Sequence, residues 1–140
     1  MSTQVEAPDV WLSVPARAEN VAVVRQALAG LCEALLAEPR AVADVKLAVT
    51  EACTNVVVHA YPNRHGLMEV EARPDGRTLT VVVRDHGQGI VPRADSPGLG
   101  LGLPMIASLS DAVEIRGGAD DGRTEVIMTF GLDRAGETPR

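Results

Sequence analysis

The sequence has little of several features that would place it in a special class of proteins. No apolar run approaches the roughly 20 residues that a membrane-spanning helix needs, and the N-terminus lacks the basic and then apolar pattern of a secretory signal. Only two cysteines occur, Cys32 and Cys53, without the spacing of a disulfide framework or a metal site. We therefore expect a cytoplasmic protein with no membrane association, in which both thiols are reduced and buried.

Basic residues are also scarce. The chain has 13 lysine and arginine residues against 19 aspartate and glutamate residues, so its formal net charge is -6. Proteins that bind nucleic acid generally hold its phosphates with clustered positive charge. The composition therefore argues against direct binding of nucleic acid, and it favours a protein partner or a metal-chelated phosphate ligand.

The sequence does contain the patterns of a compact α+β domain. With 140 residues, of which 46% are hydrophobic and 23% charged, we expect one domain over residues 1–140 with an ordered core at about 10–132. Because most strands have a polar or small second face, the patterns predict a two-layer α/β sandwich with helices on one face of a mixed, mostly antiparallel sheet. Its predicted order is βααββαββ, with strands at 10–15, 68–73, 79–84, 113–115 and 126–132 and helices at 18–37, 40–60 and 103–110.

The most informative stretch is the apolar helical pattern at residues 47–61. It places Glu51, Asn55 and His59 at four-residue steps, on the same side of a helix. This stripe is either a solvated face or the wall of a pocket, and the apolar residues around it favour the pocket. A carboxylate and an amide in this arrangement could act as a general base and a Mg²⁺ ligand. A histidine in the last turn is also favoured by the helix dipole, so the role of His59 stays open.

A second candidate segment begins where the third predicted strand ends. Asp85 is followed closely by Gly87 and Gly89, which permit sharp turns and let a ligand approach the backbone. A carboxylate at this point can accept a hydrogen bond from an exocyclic amine such as that of adenine. The same pattern also occurs in plain turns, so this segment is a weak signal when it is taken alone.

A third candidate segment lies just before the last predicted helix. Gly98, Gly100 and Gly102 alternate with leucines such as Leu101, so that backbone N–H groups at a helix start could surround an anion. A flexible loop is the alternative. No lysine follows, which excludes a phosphate-binding loop of the GxxxxGK type, and Leu103 stands where the dinucleotide fingerprint needs glycine.

Taken together, the three segments are a more specific signal than any one of them alone. Their combination closely resembles the three ATP-binding boxes of the ATPase family that unites histidine kinases, the heat-shock chaperone and MutL repair ATPases, and gyrase. The resemblance runs from about Trp11 to Phe130 and implies the Bergerat ATP-binding fold. The small size and the EACTNVVVHAY form of the first box are similar to the bacterial anti-sigma-factor serine/threonine kinases. The lid between Gly89 and Gly98 is shorter than that of better-known members.

The resemblance also implies ATP and Mg²⁺ as ligands and a role for each residue. It implies Glu51 as the catalytic general base and Asn55 as the Mg²⁺ ligand, with His59 as a further residue at the nucleotide. The other implied nucleotide contacts are Asp85 at the adenine, Gly87 and Gly89 at the floor of the base pocket, and Gly98, Gly100, Leu101 and Gly102 at the phosphate-side lid.

The leading hypothesis is a kinase that phosphorylates an anti-anti-sigma (STAS-type) protein on serine or threonine and sequesters a sigma factor. A homodimer is one assembly that it could adopt. The first alternative is a nucleotide-gated binding module with little or no kinase activity, against which the retention of Glu51 speaks. The second is a detached catalytic domain of a histidine kinase, which would need a phosphoacceptor helix pair that the sequence does not show.

Overall fold

The computed structural model describes residues 9–87, 103–118 and 122–134 of the chain. Its strands are β1 (Val10–Pro15), β2 (Leu67–Asp75), β3 (Thr78–Asp85), β4 (Ala112–Gly118) and β5 (Arg123–Gly131). Its helices are α1 (Ala18–Ala34), α2 (Pro39–Asn55) and α3 (Leu103–Leu109), and a π-helical segment at Val56–Ala60 continues α2. The predicted order of strands and helices is confirmed. None of the helices in the described ranges has the length and apolar character that crossing a membrane requires.

The five strands form one sheet in the order β1-β2-β3-β5-β4. The predicted α+β class is confirmed, with one correction: the sheet was predicted to be mixed, and all four pairings among the described strands are antiparallel. A hairpin joins β2 to β3 through Gly76 and Arg77, and Asp75 pairs with Thr78. Gly76 has a φ of 63°, a value that glycine adopts at little cost.

One face of the sheet forms the core with the helices. Alternate residues of β2, β3 and β5 are buried on this face, as the period of two predicts. The largest of them are Met68, Leu79, Met128 and Phe130. Both cysteines lie in this core, where burial raises the pKa of the Cys32 thiol to about 11 and that of the Cys53 thiol to about 12. Both thiols are therefore protonated at neutral pH, as expected for buried small apolar residues.

The end of α1 differs from the prediction. The apolar spacing predicted a helix to residue 37, whereas α1 ends at Ala34. Leu36 has a φ of 56°, in the left-handed region, and the Ala37 N–H donates to the Cys32 carbonyl at 3.0 Å. These two features form a C-terminal helix cap, which ends the helix one turn early and turns the chain toward α2.

Candidate functional site

The segment that carries the predicted polar stripe is not one regular helix. The prediction of an α-helix to Ala60 is wrong in its last turn, because Val56–Ala60 is π-helical. A π-helical turn is wider than an α-helical one and is frequent at functional sites. Within this segment Ala60 is buried and His59 is half-buried, so the wide turn packs against the sheet beside the end of β3.

Asp85 is the last residue of β3, on the buried face of the sheet. It pairs with Met68 of β2 and with Thr124 of β5, and its side chain is only 4% exposed. Burial raises the pKa of Asp85 above the usual range, while a hydrogen bond from the Gly87 N–H, at 3.0 Å from Oδ1, lowers it. The carboxylate therefore occupies an interior position where a ligand that donates a hydrogen bond would stabilise its charged form.

The π-helical segment and the ends of β3 and β5 enclose a crevice. Its polar lining consists of Asn55, His59 and Asp85. Its other walls are small or aliphatic: Ala52, Val56, Ala60, Val83 and Val126. The space inside is about 10 Å³, near the minimum for one water molecule, so an aromatic ring that enters has to displace side chains. The structure thus brings together three predicted site residues from two distant segments.

Glu51 lies one α-helical turn before Asn55 on α2 and is half-buried. It does not line the crevice, whereas Asn55 does. The two side chains therefore hold different positions along the helix. Asn55 is placed at the crevice, and Glu51 is placed one turn farther from the buried Asp85.

Gly87 sits where the turn after β3 meets the π-helical segment. A Cβ at this position would lie 2.0 Å from the carbonyl oxygen of Ala60, closer than atoms can approach. Only glycine allows this backbone contact, so the need for glycine here is steric. The other predicted glycine contacts, at Gly89, Gly98, Gly100 and Gly102, lie outside the described residues, as does Leu101.

Tyr61 links the turn after β3 to the start of β2. Its hydroxyl accepts a hydrogen bond from the His86 N–H at 2.8 Å and donates one to the Leu67 carbonyl at 2.6 Å. Tyr61 therefore holds the backbone next to Asp85 in position.

Thr124 lies next to the crevice residue Asp85, and the sequence reasoning did not single it out. It is 2% exposed and faces the helices beside Asp85, and its Oγ1 is the one buried side-chain oxygen or nitrogen in the described ranges without a hydrogen-bond partner. A buried hydroxyl without a partner is costly, which suggests that a ligand supplies one. The burial of Thr124 could have been predicted, because Thr124 continues the inward alternation of Val126, Met128 and Phe130.

We predict that Thr124→Val raises stability and weakens nucleotide binding. Valine has nearly the same shape and removes the unpaired hydroxyl, so we expect a gain of about 1 kcal/mol in the free energy of unfolding. A hydrogen bond to the bound base would be lost, which corresponds to an affinity reduced by about 5- to 10-fold. Denaturant unfolding and calorimetry measure the two effects. Thr129→Val, on the other face of the same strand, is the matched control, and equal affinities of the two variants would contradict the assignment.

Within the described ranges, no group of three or more His, Cys, Asp or Glu side chains could hold a metal ion. Asn55 could supply its amide oxygen to a Mg²⁺ ion, since Mg²⁺ in proteins is commonly held by one or two protein oxygens together with substrate phosphates.

The comparison with protein families matches residues 14–130 to the histidine kinase-like ATPase domain. The chain belongs to this ATPase family. The match covers all the residues that line the crevice and most of the sheet. It confirms the family that the three sequence segments around Asn55, Asp85 and Gly100 resemble.

Within the histidine kinase-like ATPases, the chain is similar to curated serine-protein kinases. It is 34% identical to the serine-protein kinase RsbW of Halalkalibacterium halodurans, over 89% of this chain and 84% of that protein. It is 31% identical to RsbW of Bacillus thuringiensis, over 89% and 86% respectively. These relatives confirm the predicted enzyme class, a protein serine/threonine kinase.

A solved structure shows the same fold. The crystal structure of the RsbU and RsbW domains of Rv1364c from Mycobacterium tuberculosis superposes with a TM-score of 0.67 and 24% identity. The superposition covers 96% of this chain and 36% of that longer chain. It supports the antiparallel sheet with helices on one face as the fold of this family member.

Proposed function

We propose that this kinase binds Mg²⁺-ATP at the crevice and transfers the terminal phosphoryl group to a serine or threonine of an anti-anti-sigma (STAS-type) protein. We propose further that it sequesters a sigma factor. The observation that carries the proposal is the meeting of Asn55, His59 and Asp85 around one partly apolar crevice. The family and the similarity to serine-protein kinases support it.

The chemistry of the crevice suits adenine. Asp85 can accept a hydrogen bond from the exocyclic amine, and the unpaired Thr124 hydroxyl lies on the same face, directly across from it. The aliphatic walls offer contact to both faces of a flat ring. The close contact of Gly87 with Ala60 keeps the Asp85 turn against this wall.

Asn55 and Glu51 take different roles in the proposal. Asn55 would contribute its amide oxygen to a Mg²⁺ ion held mainly by the phosphates, and that ion would neutralise phosphate charge. Glu51 would accept the proton of the attacking hydroxyl, which turns the hydroxyl oxygen into a better nucleophile. The helix α2 fixes both side chains one turn apart, so that the metal-binding and proton-accepting groups keep a constant spacing.

The test is transfer of label from γ-labelled ATP to a purified partner. We expect label on a separate STAS-type protein encoded near this chain, stable in acid, because phosphoesters of serine and threonine survive acid and phosphoramidates of histidine do not. Omission of Mg²⁺ should abolish the transfer. Acid-labile label on this chain itself would contradict the proposal and favour the histidine kinase alternative.

A further inference from the structure

A second cavity is lined in part by Gly66, on which the ring of Tyr61 packs. It is an open cleft of about 410 Å³ between the end of β1 and the start of β2. Its described lining residues include Arg17, Arg64 and His65, and none of them carries a carboxylate. We call these residues and the space between them the basic cleft. It shares no lining residue with the crevice.

The arginines of the basic cleft differ from the other described arginines in their hydrogen-bond and ion-pair partners. Of the ten arginines in the described ranges, seven form an ion pair with a carboxylate, and Arg25 donates to the Thr50 hydroxyl. Arg17 and Arg64 are the remaining two, and both line the basic cleft. In a chain with more acidic than basic residues, two arginines that have no ion pair within the described ranges give this cleft a local excess of positive charge.

The walls of the basic cleft are held in place. The Ala16 N–H donates to the Gly66 carbonyl at 2.9 Å, which joins the two sides. A Cβ at Gly66 would lie 2.1 Å from the ring of Tyr61, so the ring packs directly on this backbone. The guanidinium of Arg64 lies 5.6 Å from the centroid of the same ring, a distance that allows a cation–π contact. Arg64 is therefore oriented before any ligand binds, which lowers the entropy cost of binding.

We propose that the basic cleft is a docking site for an acidic segment of a protein partner. Carboxylates of such a segment would complete the ion pairs that Arg17 and Arg64 lack within the described part of the chain. Nucleic acid fits less well, since two arginines line the described part of the cleft and the net charge of -6 repels a phosphate backbone. The site goes beyond the proposed kinase function and does not depend on the nucleotide crevice.

The test uses a fluorescein-labelled peptide of eight glutamates as the probe and Arg17→Glu/Arg64→Glu as the cleft variant. We expect the wild-type protein to bind the probe at low salt, and the cleft variant to bind it about 10- to 100-fold more weakly, from two lost surface ion pairs and added repulsion. The matched control is Arg116→Glu/Arg123→Glu, which makes the same change of charge on β4 and β5, at the opposite edge of the sheet. The control should keep the wild-type affinity.

Three outcomes would overturn the docking site: no binding of the probe by wild type, equal weakening in the cleft and control variants, or binding of pyrophosphate at the cleft without binding of the peptide. Arg17→Gln/Arg64→Gln, with a smaller expected loss, keeps the test valid if the charge-reversed variant fails to fold. Because the probe is measured without nucleotide, its result is independent of ATP binding. The cleft variants should bind nucleotide like wild type, so failure of the kinase proposal would be seen separately.

Discussion

Asp85→Asn is expected to abolish nucleotide binding while it stabilises the folded protein. The amide can present a donor to the exocyclic amine of adenine, where the carboxylate offers only acceptors, and we expect a loss of affinity of about 10²-fold or more. The amide oxygen can still accept the hydrogen bond from the Gly87 N–H, so the turn is retained. Calorimetric titration with Mg²⁺-ATP measures the affinity. An unchanged affinity would disprove the assignment of the adenine pocket.

The gain in stability that we expect from Asp85→Asn depends on pH. Burial raises the folded-state pKa of Asp85 above its unfolded value, so the ionised carboxylate is disfavoured in the folded protein at neutral pH. The protonated carboxyl group contributes its full stabilisation below the pKa of Asp85 in the unfolded chain, near 4. This stabilisation is lost as the pH rises through the pKa of Asp85 in the folded protein. We therefore expect Asp85→Asn to be more stable than wild type by about 1 kcal/mol at pH 7, a difference that disappears toward pH 4.

Thermal unfolding across pH 4 to 8 measures this difference. Asp75→Asn makes the same chemical change at an exposed carboxylate at the end of β2, and we expect no comparable gain from it. A stability gain of Asp85→Asn that grows as the pH falls would contradict the raised pKa. A loss of affinity together with a gain in stability would identify Asp85 as a residue that serves ligand binding at a cost in stability.

Glu51→Gln is expected to lower phosphoryl transfer by about 10²- to 10⁴-fold and to leave nucleotide affinity nearly intact. This is the usual range for loss of a positioned general base, and Glu51 does not line the crevice. Asn55→Ala should behave differently, because Asn55 does line the crevice and is proposed to bind the metal. We expect Asn55→Ala to weaken Mg²⁺-ATP binding as well as transfer.

Single-turnover transfer and calorimetry together separate these two roles. Glu33→Gln, at an exposed position on α1, is the control for loss of one negative charge and should transfer at the wild-type rate. Equally slow transfer in wild type and Glu51→Gln, with partner binding that still requires nucleotide, would favour the nucleotide-gated binding module. Glu51 and Asn55 would then contribute to nucleotide binding and not to phosphoryl transfer.

Much of the fold and of the site was contained in local sequence patterns. The period of two in β2, β3 and β5 and the apolar spacing of α1 and α2 predicted the sandwich, because one face of each element has to leave water. The four-residue step between Glu51 and Asn55 predicted their shared side of α2. The resemblance of the three segments to known ATP-binding boxes indicated the family, which local patterns alone do not specify.

The tertiary structure decided the features that depend on contacts between distant segments. The register of β3 against β5 places Thr124 beside Asp85, and no local pattern encodes that register. The π-helical turn at Val56–Ala60 lies in a sequence that reads as an ordinary α-helix, since packing and not spacing selects the wider turn. The basic cleft exists only because the turn after the π-helical segment meets the end of β1, which brings Arg17 and Arg64 from 47 positions apart to one surface.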